Sequence, residues 1–215
     1  LYRFQDAYVE CMLCGAVLSM TPVLTGPARA AVDHRGSHLQ IIAAAGAGKT
    51  EVVSQRVVEL IADGVVAREI VAFTFTEKAA AELKDRITER LRDRLGAGAV
   101  DRLSGMYVGT IHGYCFQFLQ QRVPLFETYD VLDENQHVAL LCREATLLKL
   151  KETVGKGLFA SIEIFTRSVD VVENELIDPA TVDEPFGSLL RQYYAMLDRY
   201  HLMTFGMQIA HAVRH

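Results

Sequence analysis

The sequence predicts an α/β fold built on a parallel sheet and continued by an all-helical segment. Three observations carry that reading. Over residues 39–61 an apolar run, a loop of small residues and an amphipathic run follow one another; a second apolar run rich in β-formers lies at 69–75; and beyond about Leu125 the glycine-punctuated alternation gives way to long helical patterns.

Residues 1 to about 25 show no dependable period, and Thr21-Pro22 through Gly26-Pro27 punctuates them as a loop, so this leader is left unassigned. Cys11-Met12-Leu13-Cys14 is a lone CxxC with no second pair at zinc-ribbon spacing and reads as incidental cysteines. The run Met12 to Met20 is too short to span a bilayer and lacks a basic stretch with a cleavage site, which predicts neither a transmembrane helix nor a signal peptide. The chain starts at Leu1 without methionine, as a fragment or an irregular gene start would.

Leu39, Ile41 and Ile42 suit a buried strand, and Val52, Val53, Val57, Leu60 and Ile61 recur at helical spacing. Between them stands Ala43-Ala44-Ala45-Gly46-Ala47-Gly48-Lys49-Thr50, at a strand-to-helix turn. That context makes it a nucleotide phosphate-binding loop. Gly46 and Gly48 let backbone amides approach phosphates, and the helix N-terminus adds a positive dipole end. Lys49 reaches the β/γ-phosphates; Thr50 offers a hydroxyl to Mg²⁺. Ala43 stands where the general pattern has its first glycine, which an ordinary backbone angle permits. The motif alone does not choose among phosphate chemistries.

Gly64 ends that helix, and Glu69 to Phe75 form a second strand, so the two strands and their helix make a parallel βαβ unit. Thr76 caps the next helix, which runs through Lys78, Leu83, Ile87 and Leu91 to Gly96; its charges alternate in sign and read as solvated pairs. Met106 to Thr110 is a third strand and His112 to Arg122 a helix stopped by Pro124. Asp133-Glu134-Asn135-Gln136 superficially resembles the acidic motif that fixes Mg²⁺ and water in phosphate-loop enzymes. The buried strand such a motif needs is missing, and Asp133 as N-cap with Gln136 at N3 predicts a capping box instead, opening a helix through Val138, Leu141, Ala145 and Leu148. Helices follow at 158–176, 186–200 and 203–215, and about Leu125 marks the boundary of the helical part.

At 215 residues with 50% hydrophobic content, a sizeable core is expected. The net charge of −5 gives no bulk attraction to nucleic acid, so DNA binding would have to come from a local groove. Four irregularly spaced cysteines read as reduced thiols and place the protein in the cytoplasm. Nothing sets an oligomeric state.

Phe73-Thr74-Phe75-Thr76-Glu77-Lys78-Ala79-Ala80-Ala81-Glu82-Leu83 resembles the second helicase motif of the UvrD/PcrA/Rep group of superfamily 1 DNA helicases, and Gly109-Thr110-Ile111-His112-Gly113-Tyr114-Cys115 resembles the next. With the loop at Ala43 to Thr50 they occur in that family's order and spacing. Tyr129 to Asp133 is similar to the family's passage into its helical 1B subdomain, and Leu197 to Phe205 to the return into domain 1A, so the likeness covers about residues 26 to 215. The resemblance implies a RecA-like 1A half-domain over 26–125, an inserted all-helical 1B subdomain over 126–200 and a truncated return at 201–215. It further implies an ATP-driven, Mg²⁺-dependent 3′ to 5′ motor on single-stranded and duplex DNA. Thr74, Phe75, Thr76, Lys78, Thr110 and His112 would then contact DNA, Phe75 by stacking on a base. Without the resemblance, Phe75 closing an apolar strand reads as core ahead of a stacking residue, and His112 reads equally as a helix-capping group or a DNA contact.

Two departures stand out. The family's adenine-reading glutamine is Ala28 here, followed by a matching Arg29-Ala30-Ala31-Val32. The family's DExQD block, which supplies the Mg²⁺ carboxylate and the general base, and its γ-phosphate arginines do not occur before His215, so no catalytic base is assigned and residues 1–215 are expected to bind nucleotide weakly without hydrolysing it. A catalytically dead remnant serving as an interaction module and a small-molecule phosphate-loop kinase are the alternatives.

Overall fold

A computed structural model of the chain describes residues 21–215 and, ahead of them, the backbone of three short strands. Strands β1 (Tyr2–Gln5), β2 (Tyr8–Cys11) and β3 (Val17–Ser19) pair antiparallel in that order, in the leader the sequence left unassigned. The Cys11–Cys14 motif and the Met12–Met20 run lie largely outside the described residues. Among the described residues no helix is long and apolar enough to cross a membrane. The chain divides into two compact units, Leu1–Thr110 and Ile111–His215.

In the first unit α1 (Gly26–Asp33) packs on α2 (Lys49–Ala62), and α2 on α3 (Glu77–Leu95). Arg56 on α2 donates to the carbonyls of Ala31 and His34, each at 2.7 Å, and so satisfies acceptors that the end of α1 leaves open. Strand β4 (Val71–Thr74) leads into α3, and β5 (Tyr107–Thr110) returns beside β4 in parallel register, Val71 opposite Tyr107 and Thr74 opposite Thr110. Thr76 caps α3 as expected, accepting from the Ala79 amide at 3.1 Å, and Gly96 closes it at φ 86°. Val57, Val58, Ile61, Ile70, Leu83, Ile87 and Leu91 make one core cluster beneath β4 and β5; Ala31, Val32 and Val52 make another between α1 and α2.

The expected first strand does not form. Residues 38–44 have no regular structure, and Ile42 is 89% exposed. An apolar run becomes a buried strand only if a neighbour completes its ladder and a layer covers its side chains; in the two-stranded sheet described here, β4 pairs with β5 and not with this run. The same sheet leaves Val71 and Phe73 about half exposed, the uncovered apolar face expected of so small a sheet.

The second unit is mostly helical: α4 (Ile111–Arg122), α5 (Glu134–Glu144), α6 (Leu150–Val154), α7 (Leu158–Asn174), α8 (Phe186–Tyr200) and α9 (Phe205–Arg214), with a short parallel pair of β6 (Asp130–Val131) and β7 (Leu202–Met203). The capping box is present: Asp133 accepts from the Gln136 amide at 2.8 Å, and the Gln136 side chain accepts from the Asp133 amide at 3.0 Å. Helix α5 stops at Glu144, short of Leu148, because the chain turns there and Lys149 adopts φ 52°; Leu148 is buried nonetheless. Leu189, Leu190, Tyr193 and Leu197 bury the predicted face of α8 against Phe165 and Leu141. At the centre the Tyr193 hydroxyl lies 2.7 Å from His137 Nε2, and burial holds that imidazole's pKa below its ordinary value. Helices α4 and α9 pack against each other.

Candidate nucleotide-binding site

Residues 43–50 are all exposed and wrap the N-terminus of α2. Gly46 and Gly48 have φ 76° and 79°, in the left-handed region, where an L side chain costs roughly 1–2 kcal/mol. A Cβ at either would meet nothing within 4 Å, so the backbone angle rather than space demands glycine. Ala43 is not among the positive-φ residues, which meets the condition under which alanine can replace the first glycine.

The first intrahelical bond of α2 runs from the Val52 amide to the Gly48 carbonyl at 3.1 Å, and no side chain caps this terminus. The amides of Lys49, Thr50 and Glu51 therefore precede the helical ladder and face the exposed loop, where a phosphate is favoured by both donors and dipole. Lys49 Nζ donates to the carbonyls of Ala43 at 2.9 Å and Ala44 at 2.6 Å, folding the ammonium over its own loop. These residues fit a nucleotide triphosphate, and the Thr50 hydroxyl, exposed at the second position of the helix, fits an oxygen-preferring Mg²⁺.

Sequence reasoning missed one member of this neighbourhood. Glu51, next after Thr50, is buried and paired with Arg90 of α3, which donates from Nε at 2.9 Å and Nη2 at 3.3 Å; Gln55 adds a bond from Nε2 at 2.7 Å. Arg90 was hidden among alternating surface charges. The available signal was its place on the apolar stripe of Leu83, Ile87 and Leu91, where a charge must find a partner.

The other predicted residues separate by unit. Phe75 follows β4 fully exposed, against the core reading. Thr74 donates to the Thr76 carbonyl at 3.0 Å, Thr110 donates to Glu77 at 2.9 Å, and Lys78 is exposed on the first turn of α3. These lie at one end of the β4–β5 pair. His112 belongs to the second unit, where its half-buried ring sits 4.9 Å from that of Phe205 and desolvation lowers its pKa, favouring the neutral imidazole at pH 7. Ala28 packs against the Ala31–Val32–Val52 cluster.

Residues 24–212 match the family described as UvrD/REP helicase N-terminal domain. The chain belongs to this family. Among curated relatives, the ATP-dependent DNA helicase UvrD1 of Mycobacterium tuberculosis (strain ATCC 25618 / H37Rv) is 32% identical over 187 residues, covering 80% of this chain and 22% of the relative. UvrD1 of Mycobacterium leprae (strain TN) is 34% identical over 158 residues, 70% of this chain and 18% of the relative. An ATP-dependent helicase/nuclease subunit of Ligilactobacillus salivarius (strain UCC118) is 33% identical over 125 residues, 52% of this chain and 10% of the relative. The chain thus spans about a fifth of the length of the UvrD1 relatives it matches. As a UvrD/REP-type domain it combines helices with small parallel sheets, the α/β class that the sequence predicted.

Proposed function

We propose that this chain is the ATP- and single-stranded-DNA-binding segment of an ATP-dependent 3′ to 5′ DNA helicase acting in the cytoplasm. The observation that carries the reading is the exposed, uncapped N-terminus of α2 with Lys49 folded over the loop that leads into it. In the bound state Lys49 exchanges its two carbonyl acceptors for phosphate oxygens, and the amides of Lys49 to Glu51 complete the cradle. The Thr50 hydroxyl would hold Mg²⁺, which would supply neutralisation of the phosphate charge. Phe75, with no protein packing to lose, is available to stack on a base, and Lys78 to meet the backbone phosphate.

The RecA-like and 1B assignments belong to the same proposal: 26–125 and 201–215 as domain 1A, 126–200 as 1B. Packing of α4 on α9 supports it, since the chain leaving 1A and the chain returning to it would lie side by side. Residues 1–215 bind nucleotide without turning it over, because Asp133 and Gln136 are committed to a helix cap and neither Lys49 nor Thr50 can orient water. Ala28 removes the side chain that would read adenine, so base discrimination should be weak.

The test is fluorescence titration of residues 1–215 with mant-ATP and mant-GTP, alongside anisotropy of a labelled oligo-dT. Saturable binding of both nucleotides and of DNA is expected. Absence of nucleotide binding would favour an interaction module that has lost the motor function.

A further inference from the structure

We infer that the buried Glu51–Arg90 pair is a positioning element that couples the phosphate loop to the DNA-contact residues preceding α3. The inference rests on the nucleotide and DNA reading above and adds the residues that join the two sites.

An acid in the first turn of a helix is favoured by the dipole, yet beside a phosphate loop it would repel the ligand if it faced it. Glu51 does not remain in solvent: it is 8% exposed, held by the Arg90 fork at 2.9 and 3.3 Å and by Gln55 at 2.7 Å, while Gln55 also donates to the Pro22 carbonyl at 2.8 Å. Arg90 depends on Glu51 in turn. Its Nη1 has no hydrogen-bond partner among the described residues, although carboxylates of Glu89 and Asp93 stand 3.4 and 3.6 Å away.

A buried, charge-assisted fork resists separation, because parting it leaves two charges desolvated. Any shift of the first turn of α2, as Lys49 gives up the Ala43 and Ala44 carbonyls, is therefore passed to α3. That helix is continuous from Glu77 to Leu95, and from Thr76 to Arg90 it spans about 21 Å. Its far end carries the Thr76 cap and the Glu77 acceptor of Thr110, at the end of the β4–β5 pair where Thr74 and Phe75 lie. The linkage works in both directions, so DNA bound at that end biases the loop by the same factor as nucleotide biases DNA.

The experiment measures the mant-ATP dissociation constant of the wild-type chain with and without saturating oligo-dT. The expected ratio is about 5-fold or more, the lower range of typical coupling. Glu51→Gln should bring the ratio close to one, because DNA then no longer changes the nucleotide affinity, whereas simple loss of structure would weaken both ligands without abolishing their linkage. A Glu51→Gln chain that is folded by circular dichroism and keeps the wild-type ratio overturns the inference. If that variant does not fold, Arg90→Lys, which keeps the charge and removes the fork, is read the same way. If neither folds, hydrogen exchange on the wild-type chain decides: oligo-dT must slow exchange at residues 49–52 and nucleotide at 77–80, and absence of this reciprocal protection overturns the inference. Wild-type protein that binds neither ligand contradicts the functional reading itself, whereas binding of both with a ratio of one leaves that reading standing and removes only the coupling.

Discussion

Glu173 accepts a 2.6 Å hydrogen bond from the hydroxyl of Thr204, the N-cap of α9, although its carboxyl on α7 is almost wholly buried. Burial raises its pKa to about 7, against the opposing pull of the Thr204 bond. In the unfolded chain this carboxyl ionises near its ordinary 4.5, so between about pH 4.5 and 7 the native state retains a proton that the unfolded state has lost. Stability from this group is therefore full below pH 4.5, falls through that window and is level above 7. At 1.36 kcal/mol per unit, the effect is on the order of 3 kcal/mol. Glu173→Gln, which keeps an acceptor for Thr204, should raise the melting temperature at pH 8 and change it little at pH 4.5. Equal shifts at both values would show that burial does not control this titration.

Gly206 lies directly over the same carboxylate. A Cβ there would meet Glu173 Oε2 at 2.5 Å and Glu173 Cβ at 2.8 Å, distances that force the α7–α9 contact apart. Gly206→Ala should destabilise the chain by about 1–3 kcal/mol in urea denaturation, as overpacking does. A stabilised variant, gained through helix propensity alone, would mean that the Glu173 side chain yields at little cost.

At the start of α5, Asp133 forms a capping box with Gln136. Asp133→Ala should cost about 1 kcal/mol of stability. Asp133→Asn and Glu134→Gln should leave mant-ATP affinity unchanged. DNA-stimulated phosphate release by the wild type that disappears in Glu134→Gln would show the pair at work in an ATPase.

Phe75 is fully exposed, so truncating it removes no packing. Phe75→Ala should keep stability within about 0.5 kcal/mol and weaken oligo-dT binding by about 1–3 kcal/mol, the usual value of one stacked base. A large fall in melting temperature with unchanged DNA affinity would instead support the core reading.

What the sequence disclosed, and what it hid, follows from the range of the interactions. The Thr76 cap, the Gly96 stop, the capping box at Asp133 and the buried face of α8 are set by residues within one or two turns, and each stands where the spacing put it. The shape of the loop before α2 was legible for the same reason: the left-handed angles of Gly46 and Gly48 and the helix start at Lys49 are set locally. The strand expected at Leu39 to Ile42 depends on a neighbouring strand that the run itself does not specify. Glu51 finds Arg90 across 39 positions of chain, and Glu173 finds Thr204 across 31. Neither partnership has a local signature beyond a charge standing on an apolar stripe.

Lys49 decides the central claim. Its ammonium, now on the carbonyls of Ala43 and Ala44, is the group that would draw a triphosphate into the loop, so the most direct measurement is mant-ATP titration of wild-type and Lys49→Ala chains with folding checked by circular dichroism. Saturable wild-type binding that Lys49→Ala reduces by at least about 10-fold, a loss of about 1.4 kcal/mol or more, is the predicted result. A folded Lys49→Ala chain that binds mant-ATP as tightly as wild type would contradict the assignment of this loop as the nucleotide site.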